Sequence, residues 1–208
     1  SSFAGNYVYG ETSYANPSAV TEIATGIATT TYAYDSNGNL TGNGTWTYSW
    51  DYQNRLATST ATSTTSYAYD YTGQRVRKTV GSTNTFYPNQ YYNISNPSAG
   101  SGQATTTKHI FANNQLIATI ESNGIATTTN YIHPDHLGST NVVSNSQLQN
   151  VQTLDYFPYG ATRVNTSVSG VNSAKKYIGL FSDDATNLTY ANARYLDQNR
   201  RQFLSQDP

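Results

Sequence analysis

The sequence predicts an all-β protein, built of consecutive antiparallel β-hairpins that join into one curved or spiralling sheet. Three observations carry this. First, a ten-residue cassette recurs. In residues 31–40, Tyr32 and Tyr34 alternate with small residues, so both rings fall on one face of a strand. Asp35 then suits the first position of a turn, and Gly38 the fourth, where the backbone turns left-handed. The pattern returns in residues 48–56 with Asp51 and Asn54, and in residues 67–76 with Asp70 and Gly73. Asn54 is the next best residue at positive φ, so the exchange keeps the geometry. Asp135 and Gly138 repeat the spacing without the aromatic pair. Second, the chain of 208 residues carries 19 Tyr and many Thr, both strand formers. Third, charged residues are only 11%, against roughly 25% in ordinary soluble proteins. Low net charge (−1) with so many aromatics argues for a packed fold, not a disordered one.

Residues 1–80 hold the hairpins. A strand is expected near each end of residues 1–27, and the Ser1-Ser2-Phe3 start, without Met, reads as internal or processed. Trp46, Tyr48 and Trp50 alternate onto one face. With Tyr32, Tyr34, Tyr67 and Tyr69 they form an aromatic ladder, read first as core packing and alternatively as a sugar-stacking platform. Residues 58–66 are Ser, Thr and Ala, and Ala-Thr-Thr-Thr runs precede Tyr32, Lys108 and Asn130; each reads as the start of a strand. Residues 81–130 combine a loop with hairpins. The stretch 87–104, rich in Asn, Pro, Ser and Gly, reads as a long surface loop. A hairpin turns at Asn113-Asn114, and another at Ser122-Asn123-Gly124. Residues 131–208 complete a single domain. Here a hairpin turns at 144–147, Pro158 marks an edge or a break in the ladder, and a turn falls at 183–188. Periodicity does not decide between helix and strand for residues 191–195.

The ordered set of motifs resembles the RHS/YD-repeat family, which includes the bacterial rearrangement-hotspot proteins and Tc-toxin C-components, with teneurins as relatives. Trp50-Asp51-Tyr52-Gln53-Asn54-Arg55-Leu56 is similar to the family's WDxxNRL segment. Tyr69-Asp70, Gly73-Gln74-Arg75-Val76 and Lys78 resemble YDxxGqRVxK. Residues 131–140, containing His133-Pro134-Asp135-His136-Leu137-Gly138, resemble YxHxDHLGST, and residues 154–160 match a further segment with Tyr159 in a Phe place. Gly179, Asp184, Thr186, Leu188, Tyr190 and Ala193-Arg194-Tyr195 fit the family's core pattern. The resemblance implies a hollow β-shell around a polypeptide cargo, often a toxin, with this chain an arc or closing plug. It also implies autoproteolysis beyond a DP motif, attributed to aspartates. Asp207-Pro208 matches that motif, but Gln198, Arg201 and Gln202 depart from the preceding pattern, so Asp207 reads as a relic or a product terminus.

No enzyme is expected. There is no Gly-x-Ser-x-Gly elbow, no phosphate loop and no cysteine. His133, Asp135 and His136 are weak metal candidates, since a strand would turn His136 away and Asp135 already suits a turn; no cofactor is expected, and His109 stands alone. With 11 Lys plus Arg, nucleic acid is an improbable partner. The runs Arg75-Arg77-Lys78, Lys175-Lys176 and Arg200-Arg201 read as solvated strand edges, with an anion site the alternative. No signal peptide and no membrane-length apolar run occurs in these residues. The expected setting is secreted, or on the surface of a bacterium. Strand edges left open at the two ends need partners: other copies stacking into a tube or fibre, or the rest of a longer chain enclosing cargo. A glycan-binding adhesin is the third reading.

Overall fold

In the computed structural model, residues 5–10, 15–26, 28–97, 102–168 and 170–207 are described; Ser1, Ser2, Phe3, Ile27 and Pro208 lie outside them. The cassettes fold by a common rule. The Asp carboxylate accepts the backbone N–H groups two and four residues on: Asn37 and Asn39 to Asp35, Gln53 and Arg55 to Asp51, Thr72 and Gln74 to Asp70, Leu137 and Ser139 to Asp135. The fourth residue takes positive φ: Gly38 79°, Asn54 58°, Gly73 85°, Gly138 85°. Phe157 to Gly160 bends the same way, as does Asn145 to Leu148, where a leucine accepts φ 61°. A three-residue loop ending in a left-handed residue is a standard hairpin connection.

These bends organise three sheets. β1 (Asn6–Tyr9), β2 (Val20–Thr25) and β3 (Ala28–Thr31) form the first. The second is a fourteen-stranded meander in strict chain order. It runs from β4 (Ala33–Tyr34), β5 (Leu40–Gly42), β6 (Thr47–Trp50), β7 (Leu56–Thr60), β8 (Thr64–Tyr69) and β9 (Arg75–Val80) to β10 (Thr83–Asn89), β11 (Tyr92–Asn96) and β12 (Thr105–Ala112). It continues through β13 (Gln115–Ser122), β14 (Thr127–Pro134), β15 (Thr140–Ser144), β16 (Asn150–Tyr156) and β17 (Thr162–Ser167). Because antiparallel neighbours follow one another, alternate turns share a rim. The turns at 35–38, 51–54, 70–73, 135–138 and 157–160 therefore line one edge of the wall. At that rim Tyr52 and Tyr71 are 90% and 95% exposed.

The third sheet, β18 (Phe181–Asp183), β19 (Leu188–Ala191), β20 (Arg194–Asp197) and β21 (Gln202–Phe203), packs against the wall as a plug. Its Leu188, Tyr190, Tyr195 and Leu204 share one core with Tyr32, Leu40, Tyr48, Leu56 and Tyr67. A second core joins Leu116, Ile132, Val143 and Val151 to Val171. No α-helix occurs among the described residues, and none is long and apolar enough to cross a membrane.

One expectation needs correction, and one stretch that periodicity left open is settled. The stretch 87–104 is not one long loop: residues 87–89 and 92–96 are strand, Tyr87 and Asn93 turning inward from β10 and β11, so side-chain alternation outweighs the turn-forming composition there, while 98–101 lie outside the described residues. Residues 191–195 are neither helix nor a single strand. Asn192, at φ 60°, bends the chain from β19 into β20.

Candidate functional site

The site is the buried contact between wall and plug, and the cassette geometry builds it. Every cassette carries a register shift just before its Asp. Trp50 pairs with Leu56 while Ser49 pairs with Thr58, leaving one extra residue on the return strand. The same shift separates Ala33 from Tyr34, Ala68 from Tyr69, and His133 from Pro134. The extra residue stands six after Asp, beside a residue, five after Asp, that stays opposite the one before the turn but whose N–H is left free of the ladder. The plug uses the freed donor. Leu40 N–H reaches Leu204 O at 2.8 Å, Arg75 N–H reaches the Tyr190 hydroxyl at 2.8 Å, and Thr140 N–H reaches Lys176 O at 3.1 Å. The carbonyl of the same residue serves the next hairpin pair: Trp50 Nε1 donates to Leu40 O, Tyr69 to Leu56 O and Tyr156 to Thr140 O. The aromatic residue of each cassette is thus a tie between hairpins as well as core.

Arg75 stands at the centre. Its side chain is 1% exposed and its Nη1 lies 2.5 Å from Asp183 Oδ2, while Lys78 Nζ lies 2.7 Å from the other oxygen. The guanidinium carbon sits 4.6 Å from the Tyr87 ring centre and 4.3 Å from that of Tyr190. Its Nε and Nη2 have no hydrogen-bond partner. Burial is the largest single influence and works against its charge, but Asp183, Tyr195 and Tyr87 together outweigh it and raise its pKa. Burial also raises the pKa of Tyr67, Tyr69 and Tyr195, so all three are neutral phenols at any physiological pH.

Nearby, Lys175 is 8% exposed. Its Nζ lies 4.1 Å from the Phe181 ring centre, and burial, with Arg75 adding repulsion, brings its pKa down to about 8. Also against Phe181, His109 Nε2 donates to Asn93 Oδ1 at 2.8 Å and leaves a buried, unpartnered Nδ1. Burial first, and Lys175 second, lower its pKa to about 4.

The other candidates go separate ways. His133 bonds to Ser144 Oγ at 2.9 Å, Asp135 caps its own turn, and His136 is exposed. Among the described residues no group of three or more His, Cys, Asp or Glu could hold a metal. Asp207 is largely exposed beside Arg194, with 3.3 Å between them. Of the ladder, Tyr32, Tyr48 and Tyr67 are buried, and Tyr34, Trp46, Trp50 and Tyr69 pack against the same core.

The basic runs correct the expectation of solvated edges in part: Arg77 and Arg201 are exposed, but Arg75, Lys175, Lys176 and Arg200 are buried, and Arg200 reaches the Tyr34 hydroxyl at 2.9 Å. A signal for Arg75 existed. It stands five after Asp70, where the other cassettes have Leu40 and Leu56. Asp183, its partner 108 residues away, left no such mark.

The Teneurin YD-shell family model matches residues 12–208. The tRNA3(Ser)-specific nuclease WapA of Bacillus spizizenii is 29% identical over 183 residues, covering 85% of this chain and 8% of the relative. The tRNA nuclease WapA of Bacillus subtilis strain 168 matches to the same extent. The crystal structure of TcdB2-TccC3-Cdc42 superposes with a TM-score of 0.75 at 17% identity, covering 98% of this chain and 12% of that one. A Tc holotoxin pore structure from Photorhabdus luminescens gives 0.74 at the same identity and coverage. The chain therefore spans about a tenth of the length of these proteins and shares their fold.

Proposed function

The chain belongs to the teneurin YD-shell family, and on that premise we propose that it is a stretch of shell wall with its plug, built to enclose a polypeptide and not to catalyse a reaction. One observation carries the reading: an uninterrupted fourteen-stranded meander backed on one face by a four-stranded sheet. A wall of this kind is a structural scaffold whose stability comes from backbone pairing and aromatic burial. The nuclease named in the WapA relatives belongs to proteins of which this chain spans 8%, so an activity of that kind, joined to this wall, is cargo. Export from a bacterium, or display on its surface, goes with that reading. Cryo-electron microscopy of the protein expressed from its complete gene tests it. The expected result is a hollow shell with this segment in the wall and further density inside; a solid, filled β-structure overturns it.

A second reading is favoured by the open edges. All four residues of β1 are exposed, including Tyr7, Val8 and Tyr9, and among the described residues β17 pairs only with β16. Copies of the chain could add strand to strand there. Light scattering on the 22.7 kDa chain decides: growth with concentration supports it, and a monomer at millimolar concentration removes it.

A further inference from the structure

The wall–plug contact leaves one buried cation without an answer. Arg75 and Lys78 share the single carboxylate of Asp183. Lys175 has no carboxylate within ion-pair distance among the described residues; its Nζ faces the rings of Phe111 and Phe181. Its backbone is held fast, because Lys175 O accepts from Thr140 Oγ1 at 2.7 Å and from Ser173 Oγ at 2.8 Å. A buried ammonium held this way, beside a guanidinium with two idle donors, makes a local excess of positive charge that rings answer only in part.

Both cations line one cleft of about 580 Å³, between the turn at 70–73, the turn after β10 and the plug. Its walls include Tyr87, Phe111, Phe181 and Tyr190. Asp70 also lines it, but its carboxylate is taken up by the N–H groups of Thr72 and Gln74 and the Thr72 hydroxyl. That volume suits a small organic ligand.

We propose that this cleft binds a carboxylate carried on an apolar or aromatic body, with Lys175 Nζ taking the carboxylate and the rings taking the body. The carboxylate belongs either to a free small acid or to the C-terminus of a peptide, and the chemistry of capture is the same. Binding falls as Lys175 loses its proton. The other ionisable groups about it are Arg75, which stays charged, Asp70, whose carboxyl the Thr72 hydroxyl holds below the usual range, His109, which is neutral above about pH 4, Tyr87 and Tyr190. Affinity is therefore level from pH 6 to 8 and falls above about pH 8, where an ordinary lysine would hold it to above pH 10.

The test is calorimetric titration of the 208-residue protein with phenylacetate, with N-acetyl-Ala-Ala-Phe, and with the C-terminal amide of that peptide. The two acids are expected to bind and the amide not to. Phenylacetate binding without the peptide acid assigns the cleft to free acids, and the converse to peptide termini. Lys175→Met is expected to weaken binding by about tenfold or more, and Lys175→Arg to keep most of it. Equal binding of acid and amide overturns the proposal, as does binding that Lys175→Met leaves unchanged or an absence of heat with either acid at millimolar concentration. If Lys175→Met does not fold, the pH series on the unaltered protein decides: affinity that stays flat from pH 7 to 10 overturns it.

Discussion

At the scale of single residues, the charged groups are where sequence and structure part company. Asp183 neutralises two cations in a dry contact. Asp183→Asn is expected to cost about 3–5 kcal/mol, read as a lower urea midpoint, because Arg75 would be left buried and poorly answered. Turn residues behave more simply. A Cβ on Gly73 meets nothing within 4 Å, so only backbone strain opposes it. Gly73→Ala should cost about 1–2 kcal/mol. Asn54→Gly, at φ 58°, should change stability little in the same urea series. These bends were legible because Asp, Asn and Gly act on their own backbone within four residues. The Arg75–Asp183 pair was not, since nothing local distinguishes a cation bound for the interior from one on a solvated edge.

At the scale of elements, Tyr34, Trp50, Tyr69 and Tyr156 each tie a hairpin to the one before it through an aromatic donor. Tyr69 donates to Leu56 O at 2.7 Å and lies 3.2 Å from the Tyr195 hydroxyl, so it serves wall and plug together. Tyr69→Phe should cost about 1–3 kcal/mol by leaving a carbonyl unanswered, whereas Tyr131→Phe, at an exposed site, should be neutral in thermal unfolding. The plug depends on Leu204, 1% exposed in the shared core. Leu204→Ala should cost about 2–5 kcal/mol, with faster hydrogen exchange in β18 to β21 than in the wall. Period-two alternation made most wall strands readable. The docking of the plug was not, because it depends on N–H groups that only the bulges set free.

At the scale of the whole molecule, stability should depend on pH through His109. Its folded pKa of about 4 lies below the ordinary value of 6.5, so the unfolded chain takes up a proton first. The contribution of neutral His109 is whole above about pH 6.5, shrinks as pH falls, and is gone below about pH 4. Urea midpoints at pH 7 and pH 5 should differ in the unaltered protein by more than in His109→Gln; equal differences would sink this assignment. The all-β architecture and the chain-order meander were both legible, since repetition of one local unit leaves few alternatives. What the cassettes could not display was which face the last forty residues would cover.

The register shift before each turn has an outcome beyond the contacts it frees. Since every repeat brings its own increment of bend, the curvature of the wall is dictated locally, while its extent depends on how many units are strung together. Duplication of a hairpin pair would then lengthen the wall without redrawing its curvature.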